Sequence, residues 1–396
     1  MTPQTDLASR WLGASVVAAS DESFGEKENL LNPAAPAFEP GRYGNHGEIV
    51  DGWETRRRRT PGRDWVIIRL GAPGVITSVD VDTSFFTGNF PEAVSIEACG
   101  CEGYPSPDEL VGPTTCWEQI VSPSALAGGS HNVFQVTSSR RFTHIRLGAY
   151  PDGGIARLRI FGQVVCDPRG LDELTIDLAS QAYGGAVVAS SDDFYTSASH
   201  LNRPDDARTM GEGWETRRRR GGGYDYVAFR LAFPGIVRRI VIDTTHFKYN
   251  ASGEVALYGT SLYPIPPPDS SAWLPLLGRT RLQPDTRHEF ASLCEQPVGA
   301  ARLDAFPDGG LSRVRLIGSM DPGARKAAGY RWFNSLPAAQ AVHCLTAAGM
   351  APDLAGELAG RRPLGEAWLT EMRDMGTDGI AASYQPLIRM LEGGQG

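Results

Sequence analysis

The side chains best suited to chemistry in this sequence lie in one short stretch that occurs twice. Residues 52–59 read Gly-Trp-Glu-Thr-Arg-Arg-Arg-Arg, and residues 213–220 read the same, 161 positions later. A guanidinium group binds a planar carboxylate or a ureido oxygen through paired hydrogen bonds. The stretch therefore predicts an anion-binding site that is present in two copies.

The direction of each arginine depends on the backbone. If the stretch is extended, Arg56 and Arg58 project to one side and Arg57 and Arg59 to the other. One pair could line a pocket while the other serves the surface or a carboxylate within the fold. A structural alternative is that the tryptophan packs in the core and an arginine neutralises Glu54 in each copy. We favour the functional interpretation.

Two loops at predicted strand ends carry further polar side chains. Asp82 and Asn89 lie in the first loop, and Asp243 and Asn250 occupy the matching positions of the second. An aspartate can act as a general base, and an asparagine can both donate and accept hydrogen bonds. A turn stabilised by the Asp or Asn side chain explains the same residues equally well.

A third duplicated motif is Pro-Asp-Gly-Gly, at residues 151–154 and 307–310. Its aspartates, Asp152 and Asp308, could contact a ligand, although each motif alone would be read as a hairpin turn.

The duplication defines the domains. The spacing of 161 residues holds from Trp53 to Asp82, and the match resumes at Arg146 with a spacing of 156, so a loop of variable length lies between. We predict two homologous repeats, at 1–168 and 169–320. From residue 321 the sequence is rich in Ala, Leu, Glu and Arg at helical spacing, which predicts a helical C-terminal extension over 321–396.

Short strands without intervening amphipathic helices characterise each repeat. In the first repeat we expect strands at 65–70, 76–83, 94–98, 131–136, 144–147 and 156–161. This pattern is typical of an all-β antiparallel sandwich of the jelly-roll kind.

Composition limits the partners. The chain has 396 residues and a net charge of −8, whereas nucleic-acid binding favours a basic surface. No apolar run approaches the roughly 20 residues needed to span a bilayer. The six cysteines are dispersed, which indicates reduced thiols and not a disulfide framework. We expect a cytoplasmic protein with no nucleic-acid or membrane partner.

A metal site has little support. His46 precedes Glu48, Asp51 and Glu54 and could bind a divalent metal with them, but the second repeat has no certain equivalent of this histidine. The sequence lacks phosphate-loop, Gly-x-Ser-x-Gly and His-Glu-x-x-His motifs. A divalent metal thus stays an open alternative.

The motifs together resemble the allantoicase family. The resemblance rests on residues 51–58, 82–91 and 146–154, and it covers both repeats from about Val16 to Gly318. It implies two galactose-binding-like jelly rolls that hydrolyse allantoate to ureidoglycolate and urea in purine degradation. Allantoate carries a carboxylate and two ureido groups on one carbon, which suits arginine together with Asp, Glu or Asn.

The resemblance assigns roles as hypotheses. The catalytic candidates are Glu54, Asp82, Glu215, Asp243 and His246. The substrate-binding candidates are Arg56, Arg58, Asn89, Asp152, Arg217, Arg219, Asn250 and Asp308. The first repeat has Phe85 where the family motif usually has the histidine that the second repeat keeps as His246, so we expect the two copies to contribute unequally.

Two further interpretations complete the sequence analysis. Residues 333–364 resemble the opening of the ureidoimidazoline decarboxylase family but lack its His-Pro and Gln-Ser-x-Glu segments, so we predict a non-catalytic tail that could mediate formation of a homo-oligomer. The alternative function is a non-catalytic tandem module that binds a carbohydrate or another ligand. The concentration of arginines and carboxylates in the loops favours the hydrolase.

Overall fold

The computed structural model describes residues 4–44, 47–49, 51–262, 264–267, 270–368 and 378–393. They form two compact units. One contains Gln4–Val165 together with Trp332–Leu387, and the other contains Cys166–Arg331 together with the chain from Ile388. Each unit is therefore one predicted repeat joined by part of the helical extension.

The first repeat is built on an eight-stranded antiparallel sheet. Its strand order is β1-β12-β6-β10-β7-β8, with β2 and β9 also paired to β6, while β5 and β11 form a separate pair. The strands are β1 (Thr5–Asp6), β2 (Ser15–Ala19), β3 (Tyr43–Gly44), β4 (Gly47–Glu48), β5 (Trp53–Glu54), β6 (Asp64–Asp82), β7 (Ala93–Cys99), β8 (Glu118–Ala125), β9 (His131–Gln135), β10 (Arg141–Tyr150), β11 (Gly154–Ile155) and β12 (Arg157–Val164). A short helix, α1 (Pro107–Val111), lies between β7 and β8.

The second repeat has the same topology. Its sheet follows the order β13-β22-β16-β20-β17-β18, with β14 and β19 on β16 and a separate β15-β21 pair. The strands are β13 (Ile176–Asp177), β14 (Ala186–Ser190), β15 (Trp214–Glu215), β16 (Asp225–Asp243), β17 (Glu254–Thr260), β18 (Leu274–Arg281), β19 (Arg287–Ala291), β20 (Val298–Phe306), β21 (Gly310–Leu311) and β22 (Arg313–Met320). The predicted tandem all-β architecture is confirmed.

Strand β6 differs from its prediction. We expected strands at 65–70 and 76–83, but Asp64–Asp82 is one strand of 19 residues. It pairs with β10 in its first part and with β12 in its second, so the Pro-Gly segment lies where the strand changes partners. A side chain at Gly74 would place its Cβ 2.4 Å from the backbone oxygen of Gln163, which explains glycine inside the strand.

The extension is helical, as expected. Its helices are α2 (Pro322–Ser335), α3 (Ala338–Ala347), α4 (Pro352–Gly360) and α5 (Asp378–Glu392). Arg140 donates to the backbone oxygen of Asn334 at 3.1 Å, and Gln340 donates to Glu102 at 2.7 Å, so this part of the extension packs on the first repeat. No helix in the described ranges is long and apolar enough to cross a membrane.

Candidate active site

Each repeat contains one cavity beside its copy of the arginine motif. The first has a volume of about 620 Å³ and is lined by Phe24, Glu54, Thr55, Arg57, Arg58, Gly88, Asn89, Phe90, Glu92, Pro151, Asp152 and Gly153. The second has a volume of about 500 Å³ and is lined by Tyr195, Glu215, Thr216, Arg218, Arg219, Tyr249, Asn250, Ala251, Pro307, Asp308 and Gly309. The three duplicated motifs therefore converge on one place in each repeat.

The tryptophan anchors the motif. Trp53 is fully buried, and its Nε1 donates to the backbone oxygen of Asp21 at 2.8 Å. Trp214 is equally buried and donates to the backbone oxygen of Asp192 at the same distance. This part of the structural alternative is correct, since the indole fixes the short β5 and β15 strands against each core.

The glutamate that follows points into the cavity. Asn89 Nδ2 donates to Glu54 Oε1 at 2.7 Å, and Asn250 Nδ2 donates to Glu215 Oε1 at 2.6 Å. An arginine partner for Glu54 does not occur among the described residues. Burial raises the pKa of the Glu54 carboxyl above its usual range, and the hydrogen bond from Asn89 offsets part of that shift. Such a carboxyl is suited to proton transfer.

The threonine and the third arginine fix the Pro-Asp-Gly-Gly turn. Gly153 N donates to Thr55 Oγ1 at 3.1 Å, and Arg58 N donates to Asp152 Oδ2 at 2.7 Å. The guanidinium of Arg58 pairs with the buried Asp64, at 2.8 Å. Asp152 lines the cavity and accepts this backbone hydrogen bond, so it helps to fix the cavity wall.

The second repeat reproduces this network. Gly309 N donates to Thr216 Oγ1 at 2.8 Å, and Arg219 N donates to Asp308 Oδ2 at 2.8 Å. The guanidinium of Arg219 pairs with Asp225. Conserved contacts across the two copies show that the motif builds the same cavity twice.

An extended backbone would direct successive arginines to opposite sides, but the arginines do not follow this pattern. Strand β5 ends at Glu54, and the adjacent Arg57 and Arg58 both line the first cavity. Arg56 lies outside it and pairs with Asp21 at 3.0 Å. The guanidinium of Arg57 is exposed and forms no hydrogen bond or ion pair with the described part of the chain.

The second repeat has the same distribution of arginines. Arg218 and Arg219 line its cavity, whereas Arg217 lies over the ring of Phe194, 4.1 Å from the ring centroid. Within the described ranges Arg218 also lacks a hydrogen bond or ion pair. Arg57 and Arg218 are thus cations that could bind a ligand. The predicted binders Arg58 and Arg219 also line the cavities but pair with Asp64 and Asp225, whereas Arg56 and Arg217 are not among the lining residues.

The predicted catalytic aspartates do not line the cavities. Asp82 is 2% exposed, and its Oδ1 accepts from Ser84 N at 2.8 Å. Asp243 accepts from Thr245 N at 2.8 Å in the same way. Both form the side-chain turn that was the alternative reading of these residues. The asparagines of the same loops, in contrast, reach the glutamates.

His246 also lies away from the cavity lining. Its Nε2 is 2.9 Å from the backbone oxygen of Ala207, and its backbone N donates to Asp285 at 2.7 Å. Its φ of 74° matches the φ of 69° at Phe85, the equivalent residue. The presence of phenylalanine at position 85 and histidine at position 246 therefore changes a loop contact and not the wall of the cavity.

The sequence analysis missed several lining residues. Arg57 and Arg218 belong to the duplicated stretch, and they were passed over only because strict alternation was assumed. Glu92 follows the predicted loop directly, but the second repeat has Gly253 at that position. Comparison of the two copies therefore could not mark Glu92 as a site residue.

Metal ligands are not grouped in the described ranges. No cluster of three or more His, Cys, Asp or Glu side chains there is arranged to hold a metal ion. His46, the histidine considered above, lies outside the described residues.

Comparison with known proteins gives the family. The model of the allantoicase repeat matches residues 5–165 and again residues 176–321. The chain belongs to the allantoicase family. The two matches coincide with the two sheets and leave the helical extension outside, so its resemblance to a decarboxylase stays a prediction.

Relatives in the allantoicase family cover most of the chain. A probable allantoicase of Streptomyces coelicolor is 45% identical over 341 residues, which is 83% of this chain and 89% of that protein. A probable allantoicase of Nocardia farcinica is 46% identical over 321 residues, 81% of this chain and 95% of that protein. The crystal structure of allantoicase from Saccharomyces cerevisiae, at 33% identity, superposes with a TM-score of 0.67 and covers 80% of this chain and 93% of that one.

Proposed function

We propose that this chain hydrolyses allantoate to ureidoglycolate and urea, the step of purine degradation that its family name denotes. The observation that carries the proposal is the cavity itself. It is lined by a hydrogen-bonded Glu-Asn pair and by Arg57, which has no hydrogen-bond or ion-pair partner among the described residues. The chemistry of these side chains matches the carboxylate and the ureido groups of the substrate.

The substrate carboxylate would bind Arg57. The neighbouring Arg58 is held by Asp64, whereas Arg57 is exposed and lines the cavity. An exposed guanidinium can form two parallel hydrogen bonds with a carboxylate. Arg218 offers the same group in the second cavity.

The ureido groups would bind the Glu-Asn pair. Asn89 donates through Nδ2 to Glu54, which leaves its carbonyl oxygen to accept from a ureido N–H. Glu54, whose pKa is raised by burial, would deliver a proton to the leaving nitrogen. Asp82, Asp243 and His246 would then act indirectly, by holding the loops that carry the asparagines.

A tandem binding module is the less favoured function. Aromatic side chains do border the cavities, namely Phe24 and Phe90 in the first and Tyr195 and Tyr249 in the second. The interior groups are nevertheless arginines and carboxylates, which suit an anionic ureide. Family membership at 45% identity also favours the hydrolase.

We also propose that the protein is cytoplasmic. The six cysteines form no disulfide bond in the described part of the chain, which agrees with a reducing compartment. Formation of a homo-oligomer stays a prediction.

The test is urea release from allantoate by the purified full chain, with and without a chelator and an added divalent metal. Arg57→Ala should raise KM by about 10- to 100-fold, because a hydrogen-bonded charge contributes about 1.5–3 kcal/mol. Arg56→Ala is the matched control, since Arg56 lies outside the cavity. Absence of urea release under every condition would refute the proposed function, and loss of release with the chelator alone would add a metal to it.

A further inference from the structure

The loop that carries the asparagine differs between the two cavities. Asn89 and Asn250 are equivalent, but the residues around them are not. Gly88 corresponds to Tyr249, Phe90 to Ala251 and Glu92 to Gly253, at the unbroken spacing of 161 residues. The duplicated network is therefore surrounded by two different sets of side chains.

The first cavity contains a second glutamate. Glu92 is exposed and lines the same space as Glu54. Its backbone oxygen accepts from Leu126 N at 3.1 Å, while its carboxylate forms no hydrogen bond or ion pair with the residues that the structure describes. An exposed carboxylate without a protein partner is available to accept a proton from water.

Among the described residues that line the second cavity, none is a counterpart of this carboxylate. Gly253 takes the place of Glu92, and two tyrosines border the cavity instead. Tyr249 is 96% exposed and Tyr195 is 61% exposed. The Glu215-Asn250 pair and Arg218 are retained, so the cavity keeps the groups that recognise a ureido carboxylate.

We propose that hydrolysis takes place in the cavity of the first repeat, where Glu54 and Glu92 form an acid-base pair, and that the cavity of the second repeat binds the same class of ureido carboxylate without cleaving it. This inference rests on the proposed function. Burial raises the pKa of Glu54, which suits it to the role of acid beside an exposed base.

The reaction balances with these two groups. Glu92 takes one proton from water as the water oxygen bonds to the central carbon. The bond from that carbon to one ureido nitrogen breaks, its electron pair stays on the nitrogen, and Glu54 gives this nitrogen a proton. Urea leaves, the hydroxyl group remains on ureidoglycolate, and exchange with solvent returns both glutamates to their starting states.

The substitution Glu92→Gln separates this proposal from its alternatives. It should lower kcat for urea release by about 100-fold or more, because it removes the general base. If the second cavity also hydrolysed allantoate, the variant would keep the share of turnover that this cavity contributes, which is about half when the two cavities act equally. Retention of more than about a tenth of the wild-type turnover would therefore overturn the proposal, because loss of a general base alone lowers the rate about 100-fold or more. An inactive wild-type chain would refute the proposed function itself.

Two further variants control the experiment. Glu92→Asp keeps a carboxylate, so it should retain more turnover than Glu92→Gln, and equal loss in both would contradict a role as base. Glu39→Gln changes an exposed glutamate outside the cavity and should leave kcat unchanged. Thermal unfolding of each variant checks that the fold is intact.

Calorimetric titration tests the second cavity. The probe is N-carbamoylglycine, which carries a carboxylate and one ureido group. The wild-type chain and Glu92→Gln should both bind two equivalents per chain, one in each cavity. Binding of one equivalent would overturn the assignment of the second cavity as a ligand site.

Discussion

Removal of the Asn89 amide should raise the pKa of Glu54 further and move the pH dependence of hydrolysis. The Nδ2 of Asn89 donates to Glu54 at 2.7 Å, and this bond opposes the effect of burial on the carboxyl. A hydrogen bond to a charged group contributes about 1.5–3 kcal/mol, and we take about 1 kcal/mol for a partly exposed glutamate. A change of about 1.4 kcal/mol alters a protonation equilibrium tenfold, so Asn89→Ala should raise the pKa of Glu54 and favour its protonated form by about fivefold.

The sign of the change identifies the role of Glu54. A proton donor is active when protonated, so kcat/KM falls as the pH rises through its pKa. Asn89→Ala should therefore move the falling alkaline limb of the profile to higher pH. Asn89→Asp should move it further, because a like charge beside Glu54 disfavours its ionised form.

The assay is urea release measured across the pH range, with a melting curve for each variant. The backbone oxygen of Asn89 accepts from Gly154 N at 2.8 Å, and this contact survives both substitutions. An unmoved alkaline limb, or a limb that moves to lower pH, would refute the assignment of Glu54 as the proton donor. Movement of the acid limb alone would make Glu54 the base.

Three further predictions concern the stability of the fold, and the first of them also concerns activity. Glu54→Gln should abolish most turnover yet raise the free energy of unfolding at pH 7 by less than about 1 kcal/mol, because a raised pKa means that ionised Glu54 destabilises the fold. A lower melting temperature of this variant at pH 7 would contradict the predicted gain in stability. Burial and the charge of a nearby arginine lower the pKa of His144 to about 4. Stability on the order of 3 kcal/mol should therefore be lost as the pH falls from 6.5 to 4. A melting series in which His144→Asn does not reduce this loss would refute the prediction. Gly153→Ala should cost about 1–3 kcal/mol in urea denaturation, because Gly153 has a φ of 135° and its added Cβ would lie 2.7 Å from Asn89 O. Gly278→Ala is the control, because no described atom beyond its chain neighbours lies within 4 Å of the added Cβ. It should change stability by less than about 0.5 kcal/mol, and equal effects in the two variants would contradict the argument.

Much of the fold was accessible from the sequence. Short apolar runs between turn residues located the strands, and the duplicated octapeptide showed that one topology occurs twice. The exception was β6, for which two strands were predicted on either side of the Pro73-Gly74 pair. The pair lies inside one strand because Gly74 allows the close approach of Gln163. A contact between segments that are distant in the chain leaves no pattern in the local sequence from which it could be predicted.

The candidate site was only partly accessible. The Glu-Asn partners, Glu54 with Asn89 and Glu215 with Asn250, were both chosen from the sequence, although their contact was not. Asp82 was chosen because an aspartate can act as a catalytic base, but its side chain instead accepts a hydrogen bond from Ser84 N and stabilises a turn. Residue type cannot separate these two uses, because a carboxylate accepts a hydrogen bond equally well from a backbone amide or from a ligand.

The sequence by itself determined the duplication, the all-β class, the family and the motifs that form the site. It could do so because identical residues at a constant spacing need no knowledge of contacts. Only the tertiary structure decided that Arg57 faces the cavity while Arg56 pairs with Asp21, and that Glu92 joins Glu54 in the first repeat alone. Beyond the end of β5 no regular alternation fixes the side chains, so their directions depend on contacts that form only on folding, such as the pairing of Arg56 with Asp21.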